Sequence, residues 1–103
     1  MIGSALFVTN TVLSDAEDFG ALGKGIQCQD CDQVFIKDTS FRNLKSLKGG
    51  AIFLKNTVNA VLQENSFDNN IARQGGAIYI ENSQVTMKEN VFESNEAISS
   101  FNL

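Results

Sequence analysis

The most constraining feature of the chain is an eight-residue sequence motif that occurs twice. Residues 49–56 read Gly-Gly-Ala-Ile-Phe-Leu-Lys-Asn, and residues 75–82, 26 positions later, read Gly-Gly-Ala-Ile-Tyr-Ile-Glu-Asn. A fixed period of about 20–50 residues is typical of stacked repeats, in which each copy covers the hydrophobic face of its neighbour. Residues 23–30 form a weaker copy of this motif 26 positions before residue 49. Residues 3–10 also resemble the motif and begin 20 positions before residue 23. We therefore predict one domain or fragment over 1–103, with about four coils of roughly 20–26 residues that start near 3, 23, 49 and 75.

The second half of each unit repeats as well. Residues 34–41, 60–67 and 85–92 align, and each ends in phenylalanine. Within these segments the apolar residues alternate, as expected of a strand with one buried face. If the coils stack in register, we expect the three rings to form a column in the core: Phe41, Phe67 and Phe92.

In the Gly-Gly segments both faces of the predicted strand are apolar, so periodicity alone does not choose the inner one. One set of positions is aliphatic, whereas the other holds Gln27 between aromatic residues. Burying Gln27 without partners would be costly, so we expect the aliphatic set to face inwards. The outward set is then a ladder of exposed rings, a possible binding face, or ordinary sheet stabilisation: Phe7, Phe53 and Tyr79.

Asparagine recurs where the predicted strands end. It tolerates the left-handed backbone conformation and bonds to the local backbone, which suits sharp corners. Three short strands and three corners per unit describe an all-β, parallel β-solenoid. The predicted corner residues are Asn10, Asp30, Asn56, Asn82, Asn65, Asn90, Asn70 and Asn95.

Two features compete with a purely β interpretation. A period of 26 residues would also accommodate two short helices, but helix formers are not enriched and glycine lies within the pattern. Residues 11–22 are too short for the second half of a coil, and Ser14 and Glu17 fit a helix capping box. We therefore expect an irregular acidic insert there, either a helical turn or a protruding loop.

The duplicated Gly-Gly-Ala-Ile and Phe-x-x-Asn motifs resemble the repeats of chlamydial polymorphic outer-membrane proteins and of ciliate β-helix surface proteins. The similarity covers residues 23–95 well and 3–10 loosely, although Gly23-Lys24-Gly25 lacks the double glycine and Leu44 replaces the Asn of Phe-x-x-Asn. The resemblance implies a right-handed, pectin-lyase-like parallel β-helix. It also implies a stalk or ectodomain with a role in adhesion or surface scaffolding.

Cys28 and Cys31 form a single Cys-x-x-Cys sequence. Zinc would need two more thiol or imidazole ligands, and the chain has no other cysteine and no histidine. By alignment Cys28 takes an inward aliphatic position and Cys31 a corner. We expect packing residues, with a disulfide possible in an oxidising compartment, rather than a redox centre.

The net charge of −4 argues against a nucleic-acid partner, which would need a basic face. The acidic side chains Asp15, Glu17, Asp18, Asp30 and Asp32 are candidate Ca²⁺ ligands, but a solvated acidic surface is the favoured interpretation. No metal or cofactor is predicted. No apolar run approaches the roughly 20 residues of a membrane span, and no secretion signal is visible.

Polysaccharide lyases and hydrolases also use this fold, and hydrolysis requires two carboxylates held across a groove. Arg42 and Arg73 are the only arginines, and neither follows an Asp cluster on a matching face. We therefore predict that the chain is not an enzyme.

The ends of a solenoid expose strand edges that recruit other chains unless they are covered. The sequence offers no clear cap at either end, so we expect end-to-end self-association or continuation in a longer chain. The predicted function is a structural building block of an extracellular fibre, stalk or adhesive cell surface. The alternative is a carbohydrate- or protein-binding module that uses the aromatic ladder.

Overall fold

The computed structural model describes residues 5–97, and this part of the chain contains thirteen β-strands and no helix. Consecutive strands are separated by two or three residues, as the alternating sequence predicts. The strands are β1 (Ala5–Thr9), β2 (Val12–Leu22), β3 (Ile26–Gln29), β4 (Gln33–Lys37), β5 (Ser40–Lys48), β6 (Ile52–Lys55), β7 (Asn59–Gln63), β8 (Ser66–Asp68), β9 (Ile71–Gln74), β10 (Ile78–Glu81), β11 (Val85–Lys88), β12 (Val91–Glu93) and β13 (Glu96–Ala97).

The strands form three parallel sheets, which the chain visits in turn. Sheet 1 has the order β10-β6-β3, and sheet 2 has the order β1-β4-β7-β11. In sheet 3, β2 pairs with one edge of β5, and β8 and β9 pair with the other edge. The strands β12 and β13 then pair with β8 and β9. The described residues therefore make a partial first winding, β1 and β2, followed by three complete windings. This architecture confirms the all-β solenoid expected from the repeat.

Equivalent residues of successive windings lie directly above one another. Ile52 pairs with both Ile26 and Ile78 in sheet 1, and Ile36 pairs with Leu62 in sheet 2. Because the register is kept in all three sheets, inward side chains form continuous apolar columns along the axis. The fully enclosed part of this core lies in the second and third windings and includes Val34, Ile36, Phe41, Leu44, Ile52, Leu54, Leu62 and Phe67.

Glycine is needed at the corner that precedes sheet 1. Gly49 has a φ of 66°, a left-handed value that non-glycine residues adopt at a cost. A Cβ atom at this position would also collide with the carbonyl oxygen of Ile52 and lie 2.9 Å from the backbone nitrogen of Tyr79. The recurrence of glycine every 26 residues is thus a requirement of the tight turn.

The alignment of residues 3–10 with the Gly-Gly segments is wrong. Ala5–Thr9 pairs with β4 in sheet 2, so Phe7 corresponds to Phe35 and not to Phe53. The reason is the inward pair of aliphatic residues, since Leu6 and Val8 extend the columns of Val34 and Ile36. The proposed coil start at residue 3 lies outside the described residues.

The expectation of an acidic insert at residues 11–22 is also wrong. Val12–Leu22 is strand β2, which pairs in parallel with β5 and places Leu13 on Phe41. The capping-box pattern does not produce a helix because β5 supplies partners for the polar residues. Glu17 forms an ion pair with Lys45 at 3.8 Å, and Asp15 accepts a hydrogen bond from Asn43 Nδ2 at 3.0 Å.

Candidate functional site

The predicted phenylalanine column runs through the core as a stack of parallel rings. The centroids of Phe41 and Phe67 are 4.9 Å apart, and those of Phe67 and Phe92 are 4.7 Å apart. Phe41 and Phe67 are completely buried, whereas Phe92 is 47% exposed. The column therefore ends in a partly exposed ring at the C-terminal side of the described stack.

Phe92 belongs to a larger apolar surface made of inward-facing residues of the last winding. Ile80 and Met87 are 39% and 44% exposed, although the residues beneath them, Leu54 and Leu62, are fully buried. The cause is that, among residues 5–97, no strand pairs with the outer edges of β10 to β13. We call Ile80, Met87 and Phe92 the C-terminal end face.

The opposite end of the stack has a matching but smaller apolar surface. Leu6 and Val8 of β1 and Leu13 of β2 are partly buried and pack against the core from the first winding. They stand at the beginning of the columns that end in Val85, Met87 and Phe92. We call Leu6, Val8 and Leu13 the N-terminal end face.

Two ladders of asparagine side chains, buried at Asn65 and Asn70 and half-buried at Asn90 and Asn95, hold successive windings together. Asn65 accepts a hydrogen bond through Oδ1 from the backbone N–H of Thr39 and donates through Nδ2 to the carbonyl oxygen of Ile36, both at 3.0 Å. Asn70 bonds in the same way to Leu44 N–H at 3.1 Å and Phe41 O at 3.1 Å. One winding further on, Asn90 and Asn95 repeat these contacts.

These four asparagines lie between strands, at the corners as predicted, but the expectation that they adopt the left-handed backbone conformation is wrong. Asn65, Asn70, Asn90 and Asn95 are not among the residues with positive φ; the residue before each of them is, namely Glu64, Asn69, Glu89 and Ser94. The left-handed residue makes the corner, and the asparagine after it turns its amide inwards to backbone groups of the preceding winding. A search for polar residues at inward positions of the alternation would have found them. By contrast, Asn10, Asp30, Asn56 and Asn82 have φ between 49° and 58°, as expected of corner residues.

The outward aromatic ladder does not exist as one exposed face. Phe53 is only 2% exposed, because its ring stacks on Tyr79 at 5.4 Å and its backbone lies against the glycine corner at Gly23. The Tyr79 ring is in turn covered by Lys48, whose Nζ lies 4.9 Å from the ring centroid. These rings stabilise sheet 1, which is the ordinary interpretation of stacked aromatic residues in a sheet.

Phe7 instead joins a different aromatic group on the outer face of sheet 2. It is 66% exposed, and its ring centroid lies 6.3 Å from that of Phe35. The two rings line a shallow groove together with Val61 and the polar residues Gln33 and Asn59. We call Phe7, Phe35 and Val61 the sheet 2 patch.

Cys28 and Cys31 are joined by a disulfide bond that bridges the corner between β3 and β4. Both residues are buried, and Cys28 lies in the column of Leu54 and Ile80. The bridge therefore combines a packing role with a covalent clamp on one corner.

Two acidic residues of β2, Asp15 and Glu17, line a shallow polar pocket with Asn43, Lys45 and Asn69. Asp15 is engaged by Asn43, and Glu17 by Lys45. No group of three or more metal-ligating side chains occurs among the described residues. Asp15 and Glu17 are thus part of a hydrogen-bonded and ion-paired surface, and Asp30 accepts a hydrogen bond from Asn56 Nδ2 at 3.2 Å.

Comparison with known proteins identifies the family. The model of the right-handed β-helix region matches residues 2–102, so the chain belongs to this family and the solenoid is right-handed. The fold is general and is found in both enzymes and non-enzymatic proteins. No curated protein and no solved structure gives a significant match. In the described part of the chain, no helix has the length and apolar character needed to cross a membrane.

Proposed function

We propose that this chain is a non-catalytic structural module that stacks end to end with further copies of itself, with the C-terminal end face of one copy against the N-terminal end face of the next. The observation that carries the proposal is the exposure of Met87 and Phe92 at the end of columns whose middle members are fully buried: Ile36, Leu62, Phe41 and Phe67. Burial of such side chains contributes about 25 cal/mol per Å² of apolar surface removed from water.

The intramolecular register predicts how two copies would meet. If the next copy continues the same columns, its Val8 lies on Met87 and its Leu13 lies on Phe92. Its Leu6 lies on Val85 in the same way. In each of the three contacts, an aliphatic residue of the next copy covers an apolar side chain of the last winding. The apolar core would therefore continue across the junction.

The backbone edges support the same arrangement. The outer edges of β11, β12 and β13 are unpaired among the described residues, as are those of β1 and β2 at the other end. An exposed strand edge is a template for pairing with another chain. The two ends differ from each other, so the contact is heterologous and propagates into a filament unless it closes into a ring. The junction uses sheets 2 and 3, since Ile80 has no counterpart among the described residues of the first winding.

The disulfide supports a location outside the reducing cytosol, because such bonds persist in oxidising compartments. A stack of this kind fits an extracellular fibre, a stalk or an adhesive cell surface.

Negative-stain electron microscopy and sedimentation velocity over a concentration series test the proposal. We expect rods that lengthen with concentration. The matched test variant is Met87→Asp, which places a charge on the C-terminal end face, and the control is Val58→Asp, at an exposed position outside both end faces. Only Met87→Asp should abolish the rods, while the far-ultraviolet circular dichroism of both variants stays β-rich. A wild type that remains monomeric at every concentration would contradict the proposal.

The sheet 2 patch favours a second candidate function, a binding module. The exposed ring of Phe7 and the half-buried ring of Phe35 lie beside the amides of Gln33 and Asn59, which gives a sugar ring a stacking surface and hydrogen-bonding groups. Affinity electrophoresis in gels that contain xylan or pectin tests this function. Retardation that is lost in Phe7→Ala/Phe35→Ala and kept in Val58→Ala would support it, and equal mobility of all three proteins with and without polysaccharide would contradict it.

A further inference from the structure

We propose that stacking of two copies is controlled by a single like-charge pair at the junction, Glu96 of one copy against Glu17 of the next. This inference rests on the proposed end-to-end assembly and adds a regulation to it. It follows from the charge distribution and the register of sheet 3.

Charge is unevenly distributed along the solenoid axis. Residues 5–22 carry three acidic and no basic side chains, and residues 75–97 carry four acidic side chains and one basic. The middle segment, residues 23–74, carries seven basic and five acidic side chains. Both ends of the stack are therefore negative, and end-to-end contact brings two negative surfaces together.

The register identifies the position where this repulsion is strongest. Glu17 pairs with Lys45, Lys45 with Ile71, and Ile71 with Glu96 along one outward column of sheet 3. When the column continues into a second copy, that copy's Glu17 lies directly opposite Glu96, one strand spacing of about 4.8 Å away.

Within one chain, the same column places an opposite charge beside Glu17. Glu17 already faces a cation in its own molecule, Lys45, at 3.8 Å. Like charges directly opposite one another in a sheet are destabilising, whereas opposite charges stabilise. None of the other register-matched positions of the two ends brings two like charges together: Leu6 with Val85, Phe7 with Thr86, Val8 with Met87, Thr9 with Lys88, Val12 with Val91, Leu13 with Phe92, Ser14 with Glu93 and Asp18 with Ala97.

The junction thus combines a matched apolar interior with one repulsive contact on its rim. Exposed charges are screened beyond the Debye length, which falls from about 30 Å at 0.01 M salt to about 3 Å at 1 M. Assembly of the wild-type protein should therefore be weak in dilute buffer and strengthen with added NaCl.

The decisive variant is Glu96→Lys, which replaces the repulsive pair with an attractive one. At low salt we expect the concentration of half-maximal assembly to fall about tenfold relative to wild type, since a like pair becomes an opposite one. Added NaCl should then weaken its assembly, which reverses the dependence of the wild type. Asp32→Lys makes the same change of net charge at an exposed position in the second winding. Its assembly should still strengthen with added NaCl, as that of the wild type does.

A second substitution separates direct pairing from net charge. Glu17→Gln should strengthen assembly in the wild-type background, where it removes repulsion, and weaken it in the Glu96→Lys background, where it removes attraction. Sedimentation velocity in dilute and concentrated NaCl measures all five proteins, with circular dichroism to confirm that each is folded.

The outcomes distinguish the two proposals. If wild type assembles but Glu96→Lys and Asp32→Lys behave alike, or if Glu17→Gln has the same sign in both backgrounds, the proposed pair is wrong and stacking stands. If no variant assembles at any salt concentration, the end-to-end function itself is overturned.

Discussion

The side chain of Asn65 completes the backbone of the preceding winding: its Oδ1 accepts the N–H of Thr39 at 3.0 Å. Its Nδ2 bonds at the same time to Ile36 O. One neutral amide thus satisfies two main-chain groups that the corner removes from the strand ladder. Asn70 does the same at the next corner, where it is fully buried.

Replacing Asn70 with alanine should lower the free energy of unfolding by about 3 kcal/mol, because the N–H of Leu44 and the carbonyl of Phe41 lose their buried partner. The control is Asn59→Ala, at an exposed position of β7, which should change stability by less than about 0.5 kcal/mol. Urea unfolding followed by circular dichroism measures both. Equal stability of the two variants would show that the ladder does not stabilise the fold.

The phenylalanine column should respond to truncation according to depth. Phe67→Ala removes a completely buried ring with a neighbour on each side and should cost about 3–5 kcal/mol. Phe92→Ala, at the half-exposed end of the column, should cost roughly half as much in the monomer. The same urea titration compares them, in dilute buffer where stacking is weakest. A larger loss for Phe92→Ala than for Phe67→Ala would contradict this structure.

Thr57 and Thr39 form a matched pair with opposite expectations. Both are buried, but Thr39 Oγ1 donates to Lys37 O at 3.0 Å, whereas Thr57 Oγ1 has no hydrogen-bond partner. Thr57→Val should therefore stabilise the protein by about 1 kcal/mol, and Thr39→Val should destabilise it by about as much. Thermal unfolding of the two variants beside wild type tests the difference in sign, and shifts of the same sign would refute it.

Reduction of the Cys28–Cys31 bridge should have a modest effect, since it closes a very short loop. The chain-entropy relation gives a loss of about 2 kcal/mol for a loop of this size. Urea unfolding with and without reductant measures it, and Cys28→Ala/Cys31→Ala provides the control, because its stability should not respond to reductant. A fold that is lost completely on reduction would assign the bridge a much larger role.

The sequence predicted the regular part of this solenoid and failed where neighbouring windings decide the outcome. The period and the alternation around Phe41 and Phe67 predicted in-register stacking, because both depend on local side-chain direction. The sequence of residues 11–22 predicts an insert because it does not show that β5 places Asn43 beside Asp15 and Lys45 beside Glu17.

The candidate site was likewise predictable where local side-chain direction decides, and not where neighbouring windings decide. The column that ends in Phe92 was predicted, but the exposure of that ring depends on which strands lie beyond it. The alternation of side chains along a strand predicts which face Phe53 lies on. It does not reveal that the glycine corner and Tyr79 cover the outer face at this position.

The asparagine ladders have a direction, and this direction has a consequence for biosynthesis. Each buried amide reaches back to the winding made before it, so an emerging winding keeps unsatisfied main-chain groups until the next 26 or so residues have left the ribosome. Folding during translation would therefore trail synthesis by one winding, with every newly arrived corner locking its predecessor.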